Sequence, residues 1–132
     1  MSLFEALGGE RGIRRFVDEL GRRLVDDAEL GPLFAGVDGE GLQRHREHYF
    51  SAVLGGPELY SGRGLREAHR HLGIDDAQFD RFATIADEAL AAIDAGADVV
   101  ADVRDLLSRL RPVVVAGASG SISRPGDPDR LA

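Results

Sequence analysis

The chain has 132 residues, enough for one domain whose core needs no covalent staples. It contains no cysteine, which excludes disulfides and thiolate metal sites, and all 16 Lys-plus-Arg positions are arginine, which excludes Schiff-base catalysis through lysine. The net charge of −7 argues against nucleic acid or an anionic membrane as partner, and the acidic start Met1-Ser2-Leu3-Phe4-Glu5 carries neither signal peptide nor membrane span, so a cytoplasmic address is expected.

Ser2-x-x-Glu5 has the form of a capping box, predicting a short helix that begins at Leu3 and stops at Gly8-Gly9. A second helix is predicted from about Arg11 to Val25, with Ile13, Phe16, Val17, Leu20 and Leu24 on one stripe. Asp26-Asp27 offers caps for a short turn ended by Gly31-Pro32, and residues 36–39 read as loop. A third helix, about Glu40 to Leu54, sets Leu42, Arg46, Tyr49, Phe50 and Val53 on one face before Gly55-Gly56-Pro57 stops it. Breakers crowd residues 57–64 and lead into a short helix around His69. Asp75-x-x-Gln78 opens a further helix with Phe79, Phe82, Ala86, Leu90 and Ile93 on its stripe, ended by Gly96. The last, about Asp98 to Val114, turns Val99, Val103, Leu106, Leu107, Leu110 and Val114 inward, with Pro112 expected to kink or shorten its end. No alternating segment of useful length occurs, so the fold class is all-α. The expected domain is residues 1–116, followed by a disordered tail over residues 117–132, rich in Gly, Ser and Pro.

Two segments carry chemistry. In Leu65-Arg66-Glu67-Ala68-His69-Arg70-His71-Leu72-Gly73-Ile74, His69 shares an i, i+4 spacing with Leu65 and faces the apolar side, whereas His71 faces away. With no cysteine, a metal at such a site must be held by imidazole nitrogen, which suits zinc, copper or iron; the competing reading is a hydrogen-bonded core histidine. On the third helix a guanidinium, Arg46, and a phenol, Tyr49, sit among apolar neighbours. A buried charge without a partner is costly, so Arg46 either reaches water or meets a ligand, which points to a polar-centred pocket opposite His69.

These features, in order and at these separations, resemble the group I truncated haemoglobins, small globins in which helices form a two-over-two sandwich around haem. The resemblance rests on Gly8-Gly9, Leu33-Phe34-Ala35-Gly36, Gly55-Gly56-Pro57, and Arg63-x-Leu65-Arg66-x-Ala68-His69-x-x-Leu72-Gly73-Ile74 with Gln78-Phe79 following; it spans about residues 2–115. It implies haem b as cofactor, with His69 the iron ligand and Phe34 packed on the ring. Leu42, Phe50, Leu65, Leu72 and Phe79 would line the slot, and Tyr60, Arg63 and Arg66 would meet the propionates. It implies oxygen, nitric oxide or other diatomic gases as ligands, with nitric oxide dioxygenation or peroxide chemistry, served by an unidentified reductase, as reactions. The chain also departs from the pattern. Leu20-Gly21 stands where the family usually has an aromatic and a tyrosine, and Arg46 where it usually has glutamine. Three residues are candidate replacements: Arg46 as donor to bound gas, Tyr49 as a hydroxyl in the room left by Gly21, or His45 as a second iron ligand, as some cyanobacterial and algal members have. His48 and His71 are assigned to the surface. A bis-histidine gas or redox sensor or electron-transfer protein, and a haem-free helical interaction domain or histidine-bound zinc site, are the competing functional classes.

Overall fold

The computed structural model describes residues 2–55, 69 and 72–115. Among these are five α-helices, one 3-10 turn and no strand. The first helix, α1 (Leu3–Ala6), starts as its sequence dictates: the Ser2 hydroxyl accepts the Glu5 N–H at 3.1 Å, and Glu5 returns the bond to the Ser2 N–H, also at 3.1 Å. Helix α2 (Gly9–Asp26) follows almost at once, and the close return is possible only because residue 12 lacks a side chain: a Cβ on Gly12 would lie 1.8 Å from the Leu7 carbonyl oxygen.

Helix α2 is the spine of the molecule. Its stripe of Ile13, Phe16, Val17, Leu20 and Leu24 is at most 2% exposed, whereas the opposite face is arginine and carboxylate. It packs against α3 (Gly39–Val53) and also against α4 (Asp76–Ala92), which in turn packs on α5 (Ala97–Val114). Two helix pairs thus meet through α2. The α2–α3 contact is centred on an edge-to-face pair of Phe16 and Phe50, with ring centroids 5.2 Å apart. Helix α1 is pinned to the far end of α3 by the Phe4 N–H donating to the Leu54 carbonyl at 2.8 Å.

Three local expectations are corrected. The turn capped by Asp27 ends at Gly31 as expected, but Gly31-Pro32 also opens a 3-10 turn, Gly31–Phe34, because a proline in the first positions of a helical turn removes only an N–H that has no partner there. Gly39 lies inside α3, not in the loop before it. Helix α5 runs through Pro112 to Val114. The missing N–H costs one bond near an end, and the helix is resumed by the Val115 N–H donating to the Arg111 carbonyl at 2.9 Å, with Val115 buried. At α4 the expected box forms, with Asp75 accepting from the Gln78 N–H at 2.8 Å.

Candidate functional site

The α2–α3 and α4–α5 pairs do not close against each other completely. Between them lies a cavity of about 340 Å³. Its floor comes from the ends of the long helices, with Leu24 on α2, Phe79 and Phe82 on α4, and Leu107, Leu110 and Val114 on α5. The 3-10 turn adds Leu33 and Phe34, and α3 adds Leu42, His45, Arg46, Tyr49 and Phe50. His69 and Leu72 join the wall, with Leu30, Val37, Ile74 and Gln78 beside them. His69 is helical and half-buried, and its carbonyl accepts the Leu72 N–H at 3.0 Å.

The cavity therefore brings together Phe34, Leu42, His45, Arg46, Tyr49, Phe50, His69, Leu72 and Phe79 from the residues singled out above. Tyr60, Arg63, Leu65, Arg66 and His71 lie outside the described residues, as does the segment 117–132. His48 is exposed. His45 is also on the exposed side of α3 while bordering the cavity, which places it at the rim. Leu107, Leu110 and Val114 have the inward stripe of an ordinary core helix, and nothing in their spacing marks them as cavity wall.

One acidic side chain fixes the turn that supplies Phe34. Asp27 accepts the backbone N–H groups of Glu29 and Leu30 at 3.0 and 2.9 Å through one oxygen, and binds the Arg81 guanidinium through the other at 2.6–2.8 Å. The Arg81 hydrogen bond, followed by the Leu30 N–H, holds the Asp27 carboxyl below the usual carboxylate range. The end of α2, the turn after it and α4 are thereby tied at one point.

Arg46 is the electrostatic anomaly of the cavity. It is half-buried, and desolvation pushes its guanidinium down to about 10, so it remains charged at neutral pH. Among the described residues no carboxylate pairs with it. Its guanidinium carbon stands 5.1 Å from the centroid of the Phe34 ring, a cation–π contact. On its other side is the bare backbone of α2: a Cβ on Gly21 would be 3.2 Å from Arg46 Nη1 and 3.6 Å from Gln43 Oε1. The room over Gly21, expected to suit the Tyr49 phenol, is thus taken by Arg46. The Tyr49 hydroxyl is sealed from solvent, and its ring meets Phe50 edge-on at 5.4 Å.

The donor set suits an iron porphyrin. Among the described residues no three His, Cys, Asp or Glu side chains come together to hold a metal, so a histidine-bound zinc site has no support there. One imidazole in an apolar slot is sufficient when a porphyrin supplies the four equatorial nitrogens, and the walls are apolar, as a porphyrin face requires. No helix among the described residues is long and apolar enough to cross a membrane.

Comparison with known proteins agrees with this geometry. Over 114 residues the chain is 28% identical to the Group 1 truncated hemoglobin GlbN of Nostoc sp., covering 86% of this chain and 97% of that one. It is 29% identical to the protein of the same name from Synechocystis sp., covering 82% and 98%. The crystal structure of the truncated hemoglobin of Tetrahymena pyriformis in its Fe(III) form superposes with a TM-score of 0.81, covering 87% of this chain and 98% of that one at 20% identity. This likeness extends to the whole two-over-two helical arrangement. The family description of bacterial-like globins matches residues 2–115, and the chain belongs to that family.

Proposed function

We propose that the chain binds oxygen, nitric oxide and related diatomic gases reversibly, with His69 holding the iron and Arg46 and Tyr49 meeting the gas. Haem b is the cofactor of a globin; when bound, it supplies the coordination position at which a gas is held and the one-electron change that nitric oxide dioxygenation or peroxide chemistry draws on. Phe34, Leu42, Phe50, Leu72 and Phe79 exclude water from that position, which strengthens every electrostatic contact made there. Arg46 is the observation that carries the reading: a desolvated guanidinium at a cavity wall, with no carboxylate partner among the described residues, is a donor prepared for a ligand that gains negative charge. Tyr60, Arg63 and Arg66 are proposed to meet the propionates. Catalytic turnover would need an unidentified reductase, and a cytoplasmic location would supply the reducing surroundings.

The test is the pair of release rates for oxygen and carbon monoxide in Arg46→Leu and Tyr49→Phe. A charge-assisted hydrogen bond contributes about 1.5–3 kcal/mol, so losing the donor speeds oxygen release roughly ten- to a hundredfold while carbon monoxide, which gains little charge, responds much less. If neither substitution separates the two gases, the donor assignment fails. Consumption of nitric oxide by the oxygenated protein, followed by stopped flow, distinguishes a dioxygenase from a carrier.

A second reading is favoured by one observation: His45 borders the same cavity as His69. Coordination by both imidazoles, exchanged for a gas, would make the protein a sensor or an electron-transfer protein, with α3 as the element that moves.

A further inference from the structure

We propose that the cavity is selective for small inorganic anions: the Arg46 guanidinium, seated over Gly21, favours fluoride, azide and anions of similar size at ferric iron over neutral ligands. The inference rests on the haem reading above and deepens it by naming the ligand class. The chain as a whole carries a charge of −7, yet the described cavity wall contains one guanidinium, two imidazoles and no carboxylate. Acidic groups on the two facing helices, Asp18 of α2 and Glu47 of α3, are engaged elsewhere. The Gln43 amide donates to Asp18 at 2.5 Å and to Glu47 at 3.1 Å, and Arg14 lies 3.9 Å from Glu47, so these carboxylates are drawn to the outer face of the α2–α3 pair.

The guanidinium is also held in place. Phe34 stacks on it from the turn, and Gly21 lets it lie directly on α2, where even a methyl group would come within 3.2 Å of Nη1. A flat cation pinned between a ring and a bare helix backbone keeps its N–H edge for an incoming acceptor without losing rotamer freedom on binding. Gly21 is therefore a specificity-determining position: a single Cβ there already stands 3.2 Å from Nη1, and the further carbons of a β-branched side chain displace the charge from its seat.

The experiment is a titration of the ferric holoprotein with fluoride, azide and the neutral ligand imidazole, read by visible absorption at fixed ionic strength, in the native chain, Arg46→Leu and Gly21→Val. The expected result is a roughly ten- to a hundredfold loss of fluoride and azide affinity in Arg46→Leu, with imidazole affinity held within about twofold. Gly21→Val is expected to lose most of the same preference although Arg46 is intact. Anion affinities unchanged in Arg46→Leu, or falling in parallel with imidazole, overturn the proposal while leaving haem binding in place. A native preference retained in Gly21→Val overturns the seat. A chain that takes up no haem at all overturns this inference together with the function on which it rests.

Discussion

Replacing Arg46 by leucine should make the haem-free protein more stable, although it removes a charged side chain and a ring contact. Burial lowers the guanidinium from its ordinary range to about 10. At about 1.36 kcal/mol for each tenfold change in proton affinity, keeping it charged in the fold costs roughly 3 kcal/mol. The native state binds the proton less tightly than the unfolded chain, so this cost is present in full below pH 10 and is relieved only as pH rises above about 10 towards the ordinary guanidinium range. Against it stands the contact with Phe34, which contributes about 0.5–2 kcal/mol. Leucine adds apolar area among Phe34, Leu42 and Phe50, so a net gain of about 1–3 kcal/mol is expected at pH 7. Urea unfolding of the haem-free chain measures it, as a higher midpoint with an unchanged slope. A lower midpoint would refute the reasoning, since it would mean that the charge is compensated in the fold. The expected exchange of stability for a poised donor is the kind that functional sites show.

Two further outcomes concern the site's frame and rim. Asp27→Asn should destabilise the protein at neutral pH, and the difference should narrow in acid: the Asp27 carboxyl is lowered in the fold, so its contribution is complete above the ordinary carboxylate range near 3.8 and is lost progressively as pH falls from there through the lower folded value. Thermal unfolding of both forms from pH 7 down to pH 3 checks it, and a constant difference would contradict it. His45→Ala should abolish any six-coordinate low-spin fraction of the ferric holoprotein, since it removes the second imidazole at the cavity. Identical absorption spectra in the two forms across pH 5 to 9 would place His45 at the surface instead.

How much of this was legible in the sequence depends on what each pattern reports. The α2 stripe and the boxes at Ser2 and Asp75 were legible because period and cap chemistry are local, and each formed where it was expected. Leu107, Leu110 and Val114 were legible as inward-facing but not as cavity wall: apolar periodicity records distance from water, and a porphyrin slot is as dry as a packed core. Arg46 stood out as an odd residue on an inward face, but its seat was not legible. That depends on α2 and α3 lying close enough for a side chain on one to fill the missing side chain of the other, a contact across 25 residues of chain. The 3-10 turn that Gly31-Pro32 opens was not legible for a related reason. The same dipeptide ends one turn and starts the next, and the turn before it is held by Asp27, whose bonds to Leu30 and Arg81 are respectively local and distant.

The central claim, a haem held through His69, is tested most directly by reconstituting the native chain and His69→Ala with haem and recording the Soret band and iron coordination state. The account predicts tight uptake of haem by the native chain and loss of stable binding in His69→Ala, with lower helix content as the stabilisation from the bound group is withdrawn. A full Soret band with unchanged coordination in His69→Ala would contradict it.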